Sequence, residues 1–261
     1  MARSAVSDQV RSGVVLVAAI AQIVSAPITM AALGSSSDQG AISDANISPV
    51  TPAGYAFAVW GLIYLASITY AVYQLLPTQR TQTVHRRTGW WVAGGFAAST
   101  IWVPIFGTRT IWLSQLVILG LVACLAVATW RFTTLGPAKN TAERLLFRLP
   151  VTFYLGWATL ATAAGFGVTF RSLGMPPAGA FVTGVSLALL LLATAASVLV
   201  VNRFSAVVGF ALTACWALVA IAVATYVGSV RIAALVAIVV VLGALVRRVR
   251  RSRQPTAALL G

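Results

Sequence analysis

Acidic residues are nearly missing from this chain. Of 261 residues only Asp8, Asp38, Asp44 and Glu143 carry a side-chain carboxylate, and all four are expected in loops outside the apolar runs. Pumps coupled to protons or ions ordinarily need an ionisable group inside the membrane, so that class is poorly supplied. Lys139 is the sole lysine and lies between apolar runs, which excludes an intramembrane Schiff base. His85 is the sole histidine; it stands in the basic segment His85-Arg86-Arg87 and reads as a solvated loop residue. Cys124 and Cys215 both fall inside apolar runs, where a thiol behaves as a small hydrophobe, and nothing supports a disulfide framework or a metal site. A phosphate-binding loop, zinc-ligand spacing and a Ser/His/Asp set are all missing. These absences argue against an enzyme and against any required cofactor.

What remains is apolar. The chain is 59% hydrophobic and 8% charged, far from the roughly 25% charge of a soluble domain, and its mean hydropathy is +0.93. The composition predicts an all-α polytopic membrane protein. About 20 apolar residues are needed to cross a bilayer as helix. Runs of that kind cover approximately Gly13–Leu33, Ala53–Leu76, Gly89–Phe106, Ile111–Phe132, Leu149–Phe170, Ala178–Val201, Phe204–Thr225 and Val227–Val246. The first, with Arg3 and Arg11 before it, is too long for the core of a signal peptide and lacks a convincing cleavage site, so it reads as a retained helix.

The net charge of +14 invites a nucleic-acid reading, but the cations sit in short clusters between apolar runs, without interleaved aromatics. No nucleic-acid partner is expected. With both termini cytoplasmic, only Arg109, Arg171 and Arg231 of the eighteen cations fall outside, a strong positive-inside pattern. The tail Arg247–Arg253 is expected to rest on anionic lipid headgroups. The outside segment Gly34–Thr51 is polar and holds Asp38 and Asp44; it reads equally as a cover over the bundle's mouth or as a plain connector.

The fifth run is unusual in kind. Gly156, Thr159, Ala161, Thr162, Ala163, Ala164 and Gly165 give a smooth surface that lets neighbouring backbones come close, and Tyr154 and Trp157 stand out of it. Such a helix packs tightly, and a helix–helix interface alone accounts for the small residues. Trp60 and Tyr64 share a face of the second run, with Phe57 a turn earlier. Trp90, Trp91, Trp112 and Trp130 lie near run ends, as interfacial belt residues do. Trp60 and Trp157 are too deep for that role and suit a pocket for a flat apolar ligand.

Three segments carry a resemblance. Tyr154-Leu155-Gly156-Trp157-Ala158-Thr159-Leu160-Ala161 is similar to the fifth-helix motif of the TspO/MBR family, the tryptophan-rich sensory proteins related to the mitochondrial translocator protein. Ser99-Thr100-Ile101-Trp102-Val103-Pro104-Ile105-Phe106 resembles its third-helix motif, and Pro52, Trp60 and Tyr64 keep its second-helix spacing. The resemblance covers roughly residues 11–172. It implies a five-helix bundle over 1–175, often dimeric, with a pocket beneath the loop between the first two helices. Tetrapyrroles (porphyrin or haem), sterol-like molecules and synthetic aromatics are the ligands it implies. Trp157, Ala161, Trp102 and Ser99 match pocket positions; Tyr55 or Phe57 stands where the family has an aromatic, with a register slip of one; Trp60 is the third expected wall. Ser99 and Gly165 each replace a family asparagine, which removes polar anchors. About three further transmembrane helices and a basic tail, residues 176–261, have no counterpart in the five-helix family.

The sequence therefore points to a membrane protein that binds a planar apolar ligand in a bilayer. The alternatives are a facilitative transporter of a small apolar or neutral solute, and a structural membrane protein whose aromatics only pack.

Overall fold

A computed structural model describes residues 2–261, with side chains from residue 6 onward, so the side chain of Arg3 lies outside the described residues. Among these there are eight long helices: α1 Ala2–Leu33, α2 Val59–Leu75, α3 Thr83–Gly107, α4 Ile111–Thr134, α5 Leu149–Ser172, α6 Ala180–Arg203, α7 Val207–Ala224 and α8 Gly228–Arg251. Seven of them, α3 excepted, are long and apolar enough to span a membrane. The exception is as long as the rest but interleaves glycine, tryptophan and hydroxyl residues with its apolar positions. It lies wedged between α1 and α4. The chain is an integral, multi-pass, all-α membrane protein.

Charge does not end these helices. The apolar runs continue as helix into their basic flanks, so Asp8, Arg11, His85, Arg86 and Arg247 to Arg251 lie on helices and not in loops. Helical hydrogen bonds within the backbone are indifferent to side-chain charge, and the flanks simply leave the apolar layer. Glu143 also departs from the loop expected of it: it lies in the helical turn Thr141–Glu143, which runs on through Arg144–Arg148 into α5 and which Asn140 caps by accepting from the Glu143 N–H at 2.8 Å.

Contacts order the first five helices in a ring, α1 to α2, α2 to α5, α5 to α4, α4 to α3 and α3 back to α1. Helices α6 and α7 pack on the outer side of α5, α7 more extensively, and α8 packs in turn on α6 and α7. The small residues of α5 explain that closeness. A Cβ at Gly156 would collide with the Phe210 carbonyl oxygen and stand 2.8 Å from the Phe210 Cα. The relation is reciprocal, because a Cβ at Gly209 would meet the Leu149 carbonyl oxygen at 2.6 Å. Backbones this close let hydroxyls bridge them: Thr213 Oγ1 donates to the Phe153 carbonyl (2.7 Å) and Thr152 Oγ1 to the Ala206 carbonyl (2.7 Å).

Pro104 interrupts α3. Its ring nitrogen has no hydrogen to offer the Thr100 carbonyl one turn earlier. Ser25 on α1 donates its hydroxyl to that carbonyl instead, at 2.8 Å. The helix is thus mended by its neighbour, and the same bond ties α1 to α3.

One end of the bundle gathers the cations. Asp8 accepts from Arg11 (2.7 Å) and, through both oxygens, from Arg86, while Arg11 also donates to the Arg80 carbonyl. Glu143 accepts from Arg148 at 2.6 Å, and both side chains are almost fully buried. His85, expected in solvent, is completely buried among Tyr70, Tyr73 and Phe147, and neither ring nitrogen has a partner. The helical continuation of α3 turns it inward. Cys124 and Cys215 are free thiols.

Candidate ligand-binding site

At the opposite end, the ring of helices holds a cleft lined by aromatic and small residues. Trp60 from α2, Trp102 and Phe106 from α3, and Trp157, Ala161, Ala164 and Gly165 from α5 form its walls, with Phe57 from the turn Gly54–Ala58. The side chains reach it for local reasons. Trp102 and Phe106 are one turn apart on α3 and stack, centroids 5.0 Å apart. Trp60 stacks on Trp102 at 5.7 Å and presents its edge to Trp157 at 6.0 Å, in near-perpendicular planes. Phe57 meets Trp157 edge-on at 6.2 Å. These separations are in the range of favourable aromatic pairs, each worth about 0.5–1.5 kcal/mol beyond area burial.

The cleft is nearly dry of polar groups and narrow, with a free volume of about 40 Å³. Ligand pockets for drug-sized molecules run to roughly 300–1,000 Å³. The rings therefore fill most of the space that a large planar ligand would take. Trp60 and Trp157 each bury an indole N–H with no hydrogen-bond partner, and Ser99 buries a hydroxyl in the same state. Unpaired buried donors of this kind cost about 1–3 kcal/mol each.

The segment between α1 and α2 covers the mouth; the plain-connector reading is set aside. Asp38 caps the short helix Gln39–Ala45 by accepting from the Gly40 N–H at 2.9 Å. Ile42 and Val50 are completely buried, and Arg171 at the end of α5 donates to the Ile47 carbonyl at 3.0 Å. Ser43 and Pro52 from this cover line the cleft.

Of the residues expected from sequence, Phe57, Trp60, Trp102, Trp157, Ala161 and Gly165 come together at the cleft. Tyr55 does not. It packs edge-on against Trp216 of α7 at 5.4 Å and is about half exposed, because the turn Gly54–Ala58 points Phe57 inward and Tyr55 outward. Ser99 is fully buried on α3, one turn before Trp102, but is not part of the cleft lining. Gly165 carries no anchor of its own, and there is no room for one. A Cβ there would collide with the Gln115 carboxamide from α4, which donates to the Thr162 carbonyl at 2.9 Å. A polar amide thus stands against this wall, supplied by a different helix.

Two lining residues, Ala217 and Ile221, come from α7, outside the five-helix part. Alanine and isoleucine in an apolar run carry no sequence signal that separates a pocket wall from a lipid face. The junction is made firm by two hydrogen bonds at the segment just before α2: the Ala53 N–H donates to the Ala220 carbonyl (3.1 Å), and the Trp216 indole donates to the Ala56 carbonyl (3.1 Å).

Searches of curated proteins and of solved structures each found no significant match. A family model described as TSPO-like protein matches residues 12–247, a span that takes in the long helices after α5 as well as the ring. With most of its length inside that match, and with the paired tryptophans of α2, α3 and α5 meeting in one cleft, this chain belongs to the TSPO-like protein family.

Proposed function

We propose that the protein is a sensory or translocator-type membrane protein that binds a planar, largely apolar ligand, porphyrin-like or sterol-like, in the aromatic cleft. The observation that carries this reading is the meeting of Trp60, Trp102 and Trp157 with Ala161 and Gly165 around one space. Flat rings on two sides and small residues on a third suit stacking, with shape doing most of the selection. The free volume of about 40 Å³ means that binding needs the cleft to widen. Widening involves the cover (residues 34–51) and, through the hydrogen bonds at Ala53 and Ala56, α7. No titratable side chain lines the cleft, which favours binding without catalysis and without a required cofactor. In this reading both termini face the cytoplasm, and self-association is left to the outer surfaces of the bundle.

The test is a titration of the purified protein with protoporphyrin or haem while the Soret band is followed. The parent is expected to give a saturable shift. Trp157→Phe should weaken it by about tenfold, in keeping with roughly 1.4 kcal/mol for an aromatic contact, and Ala161→Trp should abolish it by filling the cleft. An unsaturable parent signal, or equal shifts in both variants, would overturn the assignment.

A second reading rests on Ala217 and Ile221. Because α7 shares the cleft, the later helices also suit a pathway for a small apolar or neutral solute. Uptake of the bound ligand into protein-containing liposomes, above the rate in empty ones, would favour this facilitative transport.

A further inference from the structure

The walls of the aromatic cleft can give hydrogen bonds but hardly accept them. Trp60, Trp102 and Trp157 carry indole N–H donors, and Ser43 is the sole lining residue with an oxygen in its side chain. A ligand that brought a donor of its own to such walls would bury it unpaired and lose affinity. An acceptor stands just behind one wall, however. It is the carboxamide of Gln115, one turn into α4 and only 4% exposed.

Two neighbours fix the direction of that amide. The Thr162 carbonyl can only accept, so the amide nitrogen faces it and donates at 2.9 Å. The oxygen is thereby turned toward Gly165, where it occupies the place a Cβ would take. Gly165 lies within the regular helix α5, so the glycine serves here to make room and not to permit a turn. Because Gly165 also lines the cleft, no side chain at that position separates the amide oxygen from the bound ligand's space. A tie between α4 and α5 uses the nitrogen alone. The oxygen accepts from no donor among the described residues.

We propose that Gln115 sets ligand specificity, its Oε1 accepting a hydrogen bond from an O–H or N–H on the rim of a planar apolar molecule bound in the cleft. The inference rests on the cleft reading above and narrows it, from flat apolar molecules in general to those with a donor at one edge. That edge lies beside Gly165, against α4, and the rings lie among the tryptophans. A bare hydrocarbon, or a molecule whose rim oxygen is an ether, leaves the amide oxygen without a partner and is selected against.

Three probes of nearly one shape test this: pyrene, hydroxypyrene and methoxypyrene. Each is titrated against the full chain in neutral detergent, followed by energy transfer from tryptophan and corrected for partition into protein-free micelles. The parent should hold hydroxypyrene about fivefold more tightly than methoxypyrene, the size of one neutral hydrogen bond. Gln115→Met keeps the length of the side chain, removes the amide and should bring that ratio to about one. Gly165→Ala retains Gln115 but puts a methyl group where Oε1 stands, pushing the flexible amide end aside, and should lower the ratio likewise. A merely structural tie would shift both probes alike and leave the ratio as it is in the parent. A parent ratio of about one overturns the proposal. So does a preference that survives in either variant, which would place the acceptor elsewhere, as at Ser43. Where pyrene itself binds saturably, such a result leaves the cleft reading standing; where no probe binds, both fall. The parent ratio decides the question even if Gln115→Met does not fold.

Discussion

The two ends of this bundle are held together by different forces. At the basic end charges meet in fixed pairs: buried Asp8 with buried Arg11 and half-exposed Arg86, and buried Glu143 with buried Arg148. The cleft at the other end has no charge in its walls, only rings at van der Waals and stacking distances and a few donors without partners. Ion pairs of this type have directional geometry, and breaking one leaves a stranded charge. Ring contacts are individually weak and tolerate sliding. The difference teaches where the molecule is able to open: the charged end clamps the helices, and the aromatic end is free to part.

The comparison breaks most visibly at the clamp. Glu143→Ala strands Arg148, of which only 2% is exposed, and should cost about 3–5 kcal/mol, read as a large fall in the detergent melting temperature. A change below about 1 kcal/mol would show that the clamp is not what holds this end. Next comes the seam between the ring and the later helices. Gly156→Val drives a side chain into the backbone of α7 and should cost about 1–3 kcal/mol by thermal melting, with weakened ligand binding because Ala217 and Ile221 move. Unchanged binding would separate α7 from the site. At the cleft, Trp157→Phe should lower stability by only about 1 kcal/mol: it leaves a small void but also removes an indole N–H that had no partner. Its effect on the Soret titration should be larger than on melting, the reverse of Glu143→Ala. The smallest effect is expected at His85. Both ring nitrogens are buried and unpaired, so His85→Phe should change stability by less than about 1 kcal/mol or raise it, although the residue sits in the clamp.

Most of the helices were legible in the sequence, since a run of apolar residues long enough to span a membrane has few other solutions. The run starting at Ile111 begins at that residue in the structure, whereas the one starting at Leu149 continues helix that begins at Thr141. Their charged flanks were not legible as helix, because hydropathy marks where a helix leaves the apolar layer and not where its hydrogen bonding stops. That is why His85 and Glu143 were expected in loops. Trp60 and Trp157 could be found because a deep tryptophan is rare in an unselected span, and Trp102 through the resemblance carried by the segment Ser99–Phe106. Tyr55 was misplaced by the short turn before α2, where one residue of register exchanges inside for outside. Gln115 and Ala217 had no such signal. Whether a side chain on α4 or α7 faces α5 depends on helix rotations that only the assembled bundle sets.

The two hydrogen bonds that hang the start of α2 on α7 have a mechanical consequence. Residues 53–56 cannot swing away from the cleft unless α7 leans with them or lets go. A widening of the cleft on this side is therefore a movement of two helices together, α2 with α7, and not of a single loop.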